Sequence, residues 1–197
     1  MTNEVSHSPV HGNVESIQKA LTGTEYRAHH LIVYPDLATL RNVYSYYITT
    51  ALNGKNEVVI MLPFYETTDS VRRILGQSKV DALKHEKQHS LIIMDSLKGY
   101  FGSEGVRLLI DQTIDRAKKT GKNGVSAFGD MGSFFHQHKV NNNLIEHELS
   151  LPLEHADGMN LKTFCLYHKQ EFDKRLSNEQ KEKLLQHHGK NMIIATA

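Results

Sequence analysis

Near its amino-terminal end the chain reads His30-Leu31-Ile32-Val33-Tyr34-Pro35-Asp36. The apolar run predicts a buried β-strand, because a strand covered on both faces needs no polar side of its own. Pro35 ends the strand and Asp36 is typical of a helix N-cap, so a helix is expected over about 37–52. The sequence therefore predicts a strand followed directly by a helix, the first half of a βαβ unit.

The same alternation of apolar runs and helical segments continues along the chain. Further strands are predicted at 57–62, 90–94, 124–128, 161–167 and 191–196, and helices at 67–75, 80–84, from 103 to before Gly121, in one or two pieces up to 149, and at 178–188. Strands joined by crossover helices form right-handed βαβ units. The predicted fold class is α/β, a three-layer sandwich with a mostly parallel sheet. Residues 1–24 are predicted to be a flexible tail, with a short helix at 14–21, and residues 25–197 one domain.

Composition and charge exclude several classes of protein. Lys and Arg number 23 and Asp and Glu number 22, so no uniform positive field exists to attract nucleic acid or an anionic membrane. The longest apolar runs are far shorter than the roughly 20 residues of a membrane-spanning helix. The first residues lack the basic start and apolar core of a secretory signal, which favours a cytoplasmic protein without a direct nucleic-acid or membrane partner.

Cys165 is the one cysteine of the sequence. A single cysteine forms no internal disulfide and excludes a zinc site built from several cysteines. It lies in the run Lys162-Thr163-Phe164-Cys165-Leu166-Tyr167. We therefore expect it to be a buried strand residue rather than a nucleophile.

The turn after the first strand argues against nucleotide hydrolysis. A phosphate-binding loop is Gly-rich and ends in Lys-Ser or Lys-Thr, because backbone N–H groups and the lysine hold the phosphates. Here the turn reads Tyr34-Pro35-Asp36-Leu37, with a carboxylate in place of glycine. Asp95 resembles a magnesium-binding Asp but is more simply explained as a helix cap. No catalytic set can be assigned, so neither an enzyme nor a cofactor is predicted, with residual nucleotide binding or hydrolysis left open.

Polar and aromatic residues lie where several predicted strands end. Ligands of parallel α/β sheets bind at the carboxyl ends of the strands, so this edge is the expected pocket. The candidate ligand-binding residues are Tyr34, Tyr65, Asp130, Glu148, Tyr167 and His30. Without a catalytic set beside them, they predict a binding site for a small organic molecule.

The 13 histidines are unusually many. His85-Glu86-Lys87-Gln88-His89 matches the HExxH motif of zinc peptidases, but it leads directly into a strand, whereas a zinc-binding motif lies within a helix. His85 and His89 are therefore weak candidates, and no metal site is predicted. In each of the pairs His29-His30 and His187-His188, the two side chains point in different directions, because they are adjacent in sequence. Only contacts between distant parts of the chain could therefore gather histidines around a metal.

Several segments, taken in order, resemble the MEDS domain, a sensory domain of methanogen and methylotroph regulators that is related to the KaiC and RecA-like group. The resemblance covers about residues 26–194. The matching segments are His30-Leu31-Ile32-Val33-Tyr34, Gly54 to Leu62, Gly124 to Met131 with its Gly-Asp-Met, Glu146-His147-Glu148-Leu149, Phe164-Cys165-Leu166-Tyr167 and Leu185-Gln186-His187-His188. Ser126 and Asp130 depart from the family pattern, which usually has Arg and Glu there, so the family supplies no binding role for these two positions.

The resemblance implies a RecA-like sheet that has lost its phosphate-binding loop and receives a ligand or signal, often beside a DNA-binding or kinase module. Because no output module is evident in this chain, the signal is expected to leave through a protein partner or a homo-oligomer. The leading hypothesis is a stand-alone sensory or regulatory domain for a small organic ligand. The alternatives are a divergent nucleotide-binding protein of the KaiC group, using Asp95, and an assembly protein without a ligand.

Overall fold

A computed structural model describes residues 9–136, 141–152, 154–156, 158 and 160–196. Its strands are β1 (Val10–Gly12), β2 (His29–Tyr34), β3 (Val58–Leu62), β4 (Leu91–Ile93), β5 (Val125–Asp130), β6 (Leu161–His168) and β7 (Met192–Ala195). Its helices are α1 (Val14–Gly23), α2 (Leu37–Asn53), α3 (Thr68–Gln77), α4 (Ala82–Lys87), α5 (Ser96–Phe101), α6 (Gly105–Lys119), α7 (Gly132–His136), α8 (Asn141–Ser150), α9 (Lys169–Arg175) and α10 (Asn178–His188). A short 3-10 helix, Gly189–Asn191, leads into β7.

The strands of the described residues form one seven-stranded sheet in the order β1-β7-β2-β6-β5-β3-β4. Every pair of neighbours is parallel. Parallel strands are covered on both faces, which explains why β2 and β3 are continuous apolar runs. The predicted α/β class with a mostly parallel sheet is confirmed.

Helices cover both faces of this sheet, and successive side chains of a strand alternate between them. The first face carries α1 to α4, with Ile32 of β2 and Leu40 of α2 in its core. The second face carries α5 to α10, with Leu31 of β2 and Leu184 of α10 in one part of its core. Ala117 of α6 lies in another part of the core of the second face.

The segment before β2 belongs to the folded domain. β1 pairs with β7 at the edge of the sheet, and Ile17 and Leu21 of α1 are buried in the core of the first face. The prediction that residues 1–24 form a flexible tail is therefore wrong for 10–23, while residues 1–8 lie outside the described part. The short helix within this segment was expected, but two apolar residues four positions apart are too weak a pattern to predict its docking.

Two carboxylates cap helices that follow strands, as the sequence predicts. Asp36 Oδ1 accepts the N–H of Thr39 at 2.7 Å at the start of α2. Asp95 Oδ1 accepts the N–H of Lys98 at 3.2 Å at the start of α5. In nucleotide-binding folds the free N–H groups at the start of such a helix bind phosphate. After β2 of this chain, the corresponding N–H groups face the carboxylate of Asp36 instead.

Two short helices, α5 and α9, were not predicted. α9 follows β6 directly and spans seven residues, and two residues separate β4 from α5, which spans six. Such a helix makes fewer than two turns, so its sequence shows no clear helical period. Within the described residues, no helix is both long and apolar enough to cross a lipid bilayer.

Candidate functional site

Four ionisable side chains lie buried together on the second face, and we call them the buried cluster: His29, Glu148, Cys165 and His188. His29 is the first residue of β2 and Cys165 lies in β6. Leu31 pairs with Cys165 across these strands, so the parity of the pairing turns His29 and Cys165 to the same face. Glu148 belongs to α8 and His188 is the last residue of α10. The packing of these two helices on the sheet brings the four side chains together.

Glu148 stands at the centre of the buried cluster. Its Oε1 accepts a hydrogen bond from the Tyr167 hydroxyl at 2.6 Å. Its Oε2 lies 3.4 Å from His29 Nε2 and 3.5 Å from His188 Nε2. His29 Nε2 also lies 3.3 Å from Cys165 Sγ. One carboxylate is thus enclosed by two imidazoles, a phenol and a thiol.

The charges within the buried cluster are constrained by burial. Burial alone raises the pKa of the Glu148 carboxyl, but its contacts with His188 and His29 outweigh burial and hold that pKa below its ordinary value. Burial raises the pKa of the Cys165 thiol and of the Tyr167 hydroxyl, and the charge of Glu148 adds to both shifts. The negative charge of Glu148 must therefore be balanced by a proton on a histidine or by a bound cation.

An apolar cavity of about 50 Å³ borders the buried cluster and shares Cys165 with it. β3, β5 and β6 form its floor, and α5, α6 and α8 cover it. The lining residues are Ile60, Leu62, Tyr100, Val106, Ile110, Ala127, Phe128, Gly129, His147, Leu151, Thr163, Phe164 and Cys165.

The polar groups of the cavity are kept uncharged by burial. Burial raises the pKa of the Tyr100 hydroxyl well above its ordinary value and lowers the pKa of the His147 imidazole. The two rings meet edge to face, with centroids 5.6 Å apart, and His147 stacks on Phe134 at 5.1 Å. The cavity therefore offers an apolar wall with a neutral phenol, imidazole and thiol.

Three of the residues predicted to bind a ligand meet at the carboxyl edge of the sheet, on the first face. Tyr34 donates a hydrogen bond to Asp130 Oδ2 at 3.0 Å, and Gly132 N–H donates to Asp130 Oδ1 at 2.9 Å. The Tyr65 hydroxyl is buried and has no hydrogen-bond partner among the described residues. Burial raises the pKa of the Asp130 carboxyl to about 7, although the hydrogen bonds oppose that shift.

The other three predicted residues lie elsewhere. Glu148 and Tyr167 belong to the second face, in and beside the buried cluster. His30 faces the first face, stacks on Phe164 with centroids 5.8 Å apart, and has Nδ1 3.3 Å from Asn191 O. The six residues thus form no single pocket, and the lining of the cavity includes none of them. Their role in ligand binding stays a prediction.

The HExxH motif does not assemble a metal site. α4 ends at Lys87 and His89 adopts a left-handed φ of 55°, so His85 and His89 do not share a helical face. His85 Nδ1 lies 2.9 Å from Ser90 Oγ, and Glu86 pairs with Arg72 at 2.8 Å. Within the described part of the chain, both groups of possible metal ligands contain His29, and neither contains His85 or His89.

Sequence reasoning did not assign His29, Cys165 or His188 to a common site. The available signal was the two histidine pairs, of which the structure turns one member of each, His29 and His188, into the buried cluster. Cys165 is a buried strand residue, as predicted. Its neighbours come from three other elements, and no local pattern of residues reports that contact.

Comparison with known proteins agrees with this architecture. The sequence model of the family described as MEDS, the MEthanogen/methylotroph, DcmR Sensory domain, matches residues 28–188. A search of curated proteins found no match. The chain is similar in structure to a KaiC-like protein from the hyperthermophilic archaeon Pyrococcus horikoshii OT3, at 16% identity and a TM-score of 0.54 over 81% of this chain and 70% of that chain.

A second similar structure is an uncharacterized Pyrococcus horikoshii protein in complex with an unknown peptide, at 14% identity and a TM-score of 0.55 over 82% of this chain and 76% of that chain. At such identities these two structures show the fold alone, a KaiC-like α/β sheet. The family match carries more weight than these two structural matches, because it spans β2 to α10 and includes all members of the buried cluster. This chain therefore belongs to the MEDS family of sensory domains.

Proposed function

We propose that this chain is a sensory domain that binds a small organic molecule in the apolar cavity and signals through protein contacts. Membership of the MEDS family supports the sensory role. The cavity beside Cys165 is the observation that supports a ligand of this class. Small-molecule sites are concave and mostly apolar, with a few polar groups that orient the ligand.

The size of the cavity favours a ligand of few heavy atoms. A site for one water needs about 10–15 Å³, and an apolar cavity of roughly 150 Å³ takes benzene. The cavity, at about 50 Å³, lies between these limits. A fitting ligand is small and uncharged, with one polar group within reach of Tyr100 or His147. Short alcohols and ketones have this chemistry.

The carboxyl edge of the sheet is close enough to respond to such a ligand. Gly129 lines the cavity on the second face, and Asp130, the next residue of β5, points to the first face. A ligand that moves Gly129 also moves the carboxylate that holds Tyr34. We propose that Tyr34, Tyr65 and Asp130 respond to the ligand at the strand ends.

The helices that cover the cavity offer a route for the signal. Four of the seven large apolar side chains exposed within the described residues lie on α5, α6 and α8: Leu97, Phe101, Leu108 and Leu149. Exposed apolar groups on a monomer surface are common sites of protein contact. A ligand beneath these helices would change their positions and thereby the contacts that they make.

The test is a titration of the purified chain with an alcohol series from methanol to hexanol, followed by NMR chemical shifts. We expect the largest shifts around the cavity and an optimum of affinity at a small member. Ala127→Leu fills the cavity and should abolish alcohol binding. The control, Ala38→Leu, places a leucine side chain at an exposed position of α2 and should leave alcohol binding intact.

Two outcomes would contradict the proposal. One is the absence of localised shifts with every alcohol and ketone tried. The other is unchanged binding by Ala127→Leu, with its fold verified by circular dichroism. A parallel titration with ATP and magnesium tests the alternative function, and micromolar binding there without any response to the organic series would favour a nucleotide-binding protein.

A further inference from the structure

The buried cluster combines donor groups that bind transition metals. His29 and His188 supply imidazole nitrogens, Cys165 a sulfur and Glu148 a carboxylate oxygen. Zinc is bound by these ligand types, usually four at a time. All four side chains are buried, and they come from four different elements of the fold. The cluster is therefore a preformed pocket of donors inside the protein.

Three polar atoms of this cluster lack a hydrogen-bond partner within the described part of the chain: His29 Nδ1, Glu148 Oε2 and His188 Nε2. His188 Nδ1 donates to Leu184 O at 2.9 Å, so a neutral His188 carries its lone pair on Nε2. That lone pair lies 3.5 Å from Glu148 Oε2. In that neutral form two electron-rich atoms face each other in a buried place, and either a proton on Nε2 or a cation between the two atoms stabilises the arrangement.

The spacing of the donors suits a tetrahedral ion. Two ligands that each lie about 2.0–2.3 Å from a tetrahedral ion stand about 3.3–3.7 Å apart. The measured separations are 3.3 Å for His29 Nε2 to Cys165 Sγ, 3.4 Å for His29 Nε2 to Glu148 Oε2 and 3.5 Å for His188 Nε2 to Glu148 Oε2. These contacts link the donors in the order Cys165, His29, Glu148, His188. The ligand atoms of His29, Glu148 and Cys165 all lie within 4.8 Å of one another, and His188 stands outside this group, so its ring must turn toward the ion to complete the tetrahedron.

We propose that His29, Glu148, Cys165 and His188 bind one zinc-class divalent cation. On binding, the Cys165 thiol releases its proton to solvent and the sulfur forms the bond to the metal. Two anionic ligands then balance the two positive charges of the ion, so the buried site is neutral overall. A neutral site avoids the cost of an uncompensated charge in the interior.

Outer contacts orient two of the ligands. Tyr167 holds Glu148 through Oε1 and leaves Oε2 free for the metal. Leu184 O fixes the ring of His188 through Nδ1. Such contacts set the tautomer and direction of metal ligands. The proposal rests on these donors alone and is independent of the ligand in the neighbouring cavity.

The experiment uses the full chain without a histidine tag, freed of metal by a chelator and then dialysed against zinc or cobalt. We expect about one zinc per chain by mass spectrometry of the metal. Bound cobalt should give the near-ultraviolet charge-transfer band of a thiolate ligand and the intense visible bands of a tetrahedral site. This measurement on the unmodified protein does not depend on whether any variant folds.

Variants then assign the ligands. Cys165→Ser should remove the charge-transfer band, and His188→Ala should weaken zinc binding by at least about 100-fold, since even contacts outside the ligand shell are worth 10–100-fold. The control His85→Ala/His89→Ala should bind zinc and cobalt like the unmodified chain. Absence of stoichiometric zinc and of the cobalt–thiolate band in the unmodified protein overturns the proposal, as does an unchanged band in Cys165→Ser. The zinc and cobalt measurements do not depend on the alcohol titration, so failure of that titration would not contradict the metal site.

Discussion

The hydroxyl of Tyr100 occupies the space that a side chain on Gly129 would need. A Cβ placed on Gly129 would lie 1.9 Å from the Tyr100 hydroxyl oxygen. The glycine of Gly129-Asp130-Met131 is therefore explained by the close approach of α5 to β5, which also forms one wall of the cavity. Tyr100 is half-buried on that wall, and its ring packs edge to face on Phe134 with centroids 5.0 Å apart, which limits its movement away from Gly129.

Gly129→Ala should lower the free energy of unfolding by about 1–3 kcal/mol, the usual cost of overpacking a core. The control is Gly76→Ala, since Gly76 is exposed in α3 and a Cβ there meets nothing within 4 Å. That control should gain about 0.5–1 kcal/mol, because alanine favours a helix over glycine. Urea denaturation measures both, and equal stability of Gly129→Ala and the unmodified protein would refute the crowding argument.

Asp130 should make stability depend on pH. Burial raises the pKa of its carboxyl from 3.8 to about 7 in the folded protein. Between these values the folded state holds a proton that the unfolded state has lost, so stability falls as pH rises from about 4 to about 7. The slope from this group is at most about 1.4 kcal/mol per pH unit.

The measurement compares the unmodified protein with Asp130→Asn by urea denaturation at pH 5, 6, 7 and 8. Asparagine cannot lose a proton in this range, so the stability advantage of the unmodified protein should decline up to about pH 7 and then level off. A difference between the two proteins that is constant over this range would contradict the raised pKa of Asp130.

Tyr167 should stabilise the protein through its hydrogen bond to Glu148. Tyr167→Phe leaves Glu148 Oε1 buried without that bond, which costs about 1–3 kcal/mol or more for a charged acceptor. Tyr46→Phe is the matched control, because Tyr46 is 48% exposed. We expect thermal and urea unfolding to detect a loss for the first variant alone, and similar stability of both variants would show that the bond contributes nothing.

Lys162 and Glu57 form a buried ion pair at 2.8 Å on the first face. Lys162→Met should destabilise the protein by about 3–5 kcal/mol, because it leaves the Glu57 carboxylate buried without its cation. Adding Glu57→Gln should recover part of that loss. Lys169→Met removes the exposed pair with Asp173 and should change stability little. Equal effects of Lys162→Met and Lys169→Met on urea denaturation would contradict this account.

Much of the fold could be predicted from local patterns. The apolar runs of β2 and β3 and the turn residues between them indicate buried parallel strands. Asp36 indicates where α2 begins, because a carboxylate accepts the free N–H groups of a first helical turn. Asp95 was expected to cap a helix in the same way, but the short α5 that follows it was not predicted. Shorter elements such as β1 and α9 could not be predicted, because a segment of three to seven residues is too short to show a clear periodicity of apolar side chains.

The candidate site was predictable only in part. Glu148 and Tyr167 were proposed from the sequence, and the structure joins them by a hydrogen bond. Tyr34 and Asp130 were also proposed, and they meet on the opposite face. The two pairs lie on opposite faces of the sheet because side chains alternate along each strand. Residues adjacent in a strand therefore face different layers of helices.

The sequence by itself determined the class of fold, the positions of β2 to β7 along the chain and the loss of a phosphate-binding turn, because each of these depends on residues close together in the chain. Tertiary structure alone decided the buried cluster. The register of β2 against β6 turns His29 and Cys165 to one face, and a shift of one residue would send either strand's side chains to the other. Docking of α8 and α10 then adds Glu148 and His188, which are distant from the strands in sequence but in contact with them in space.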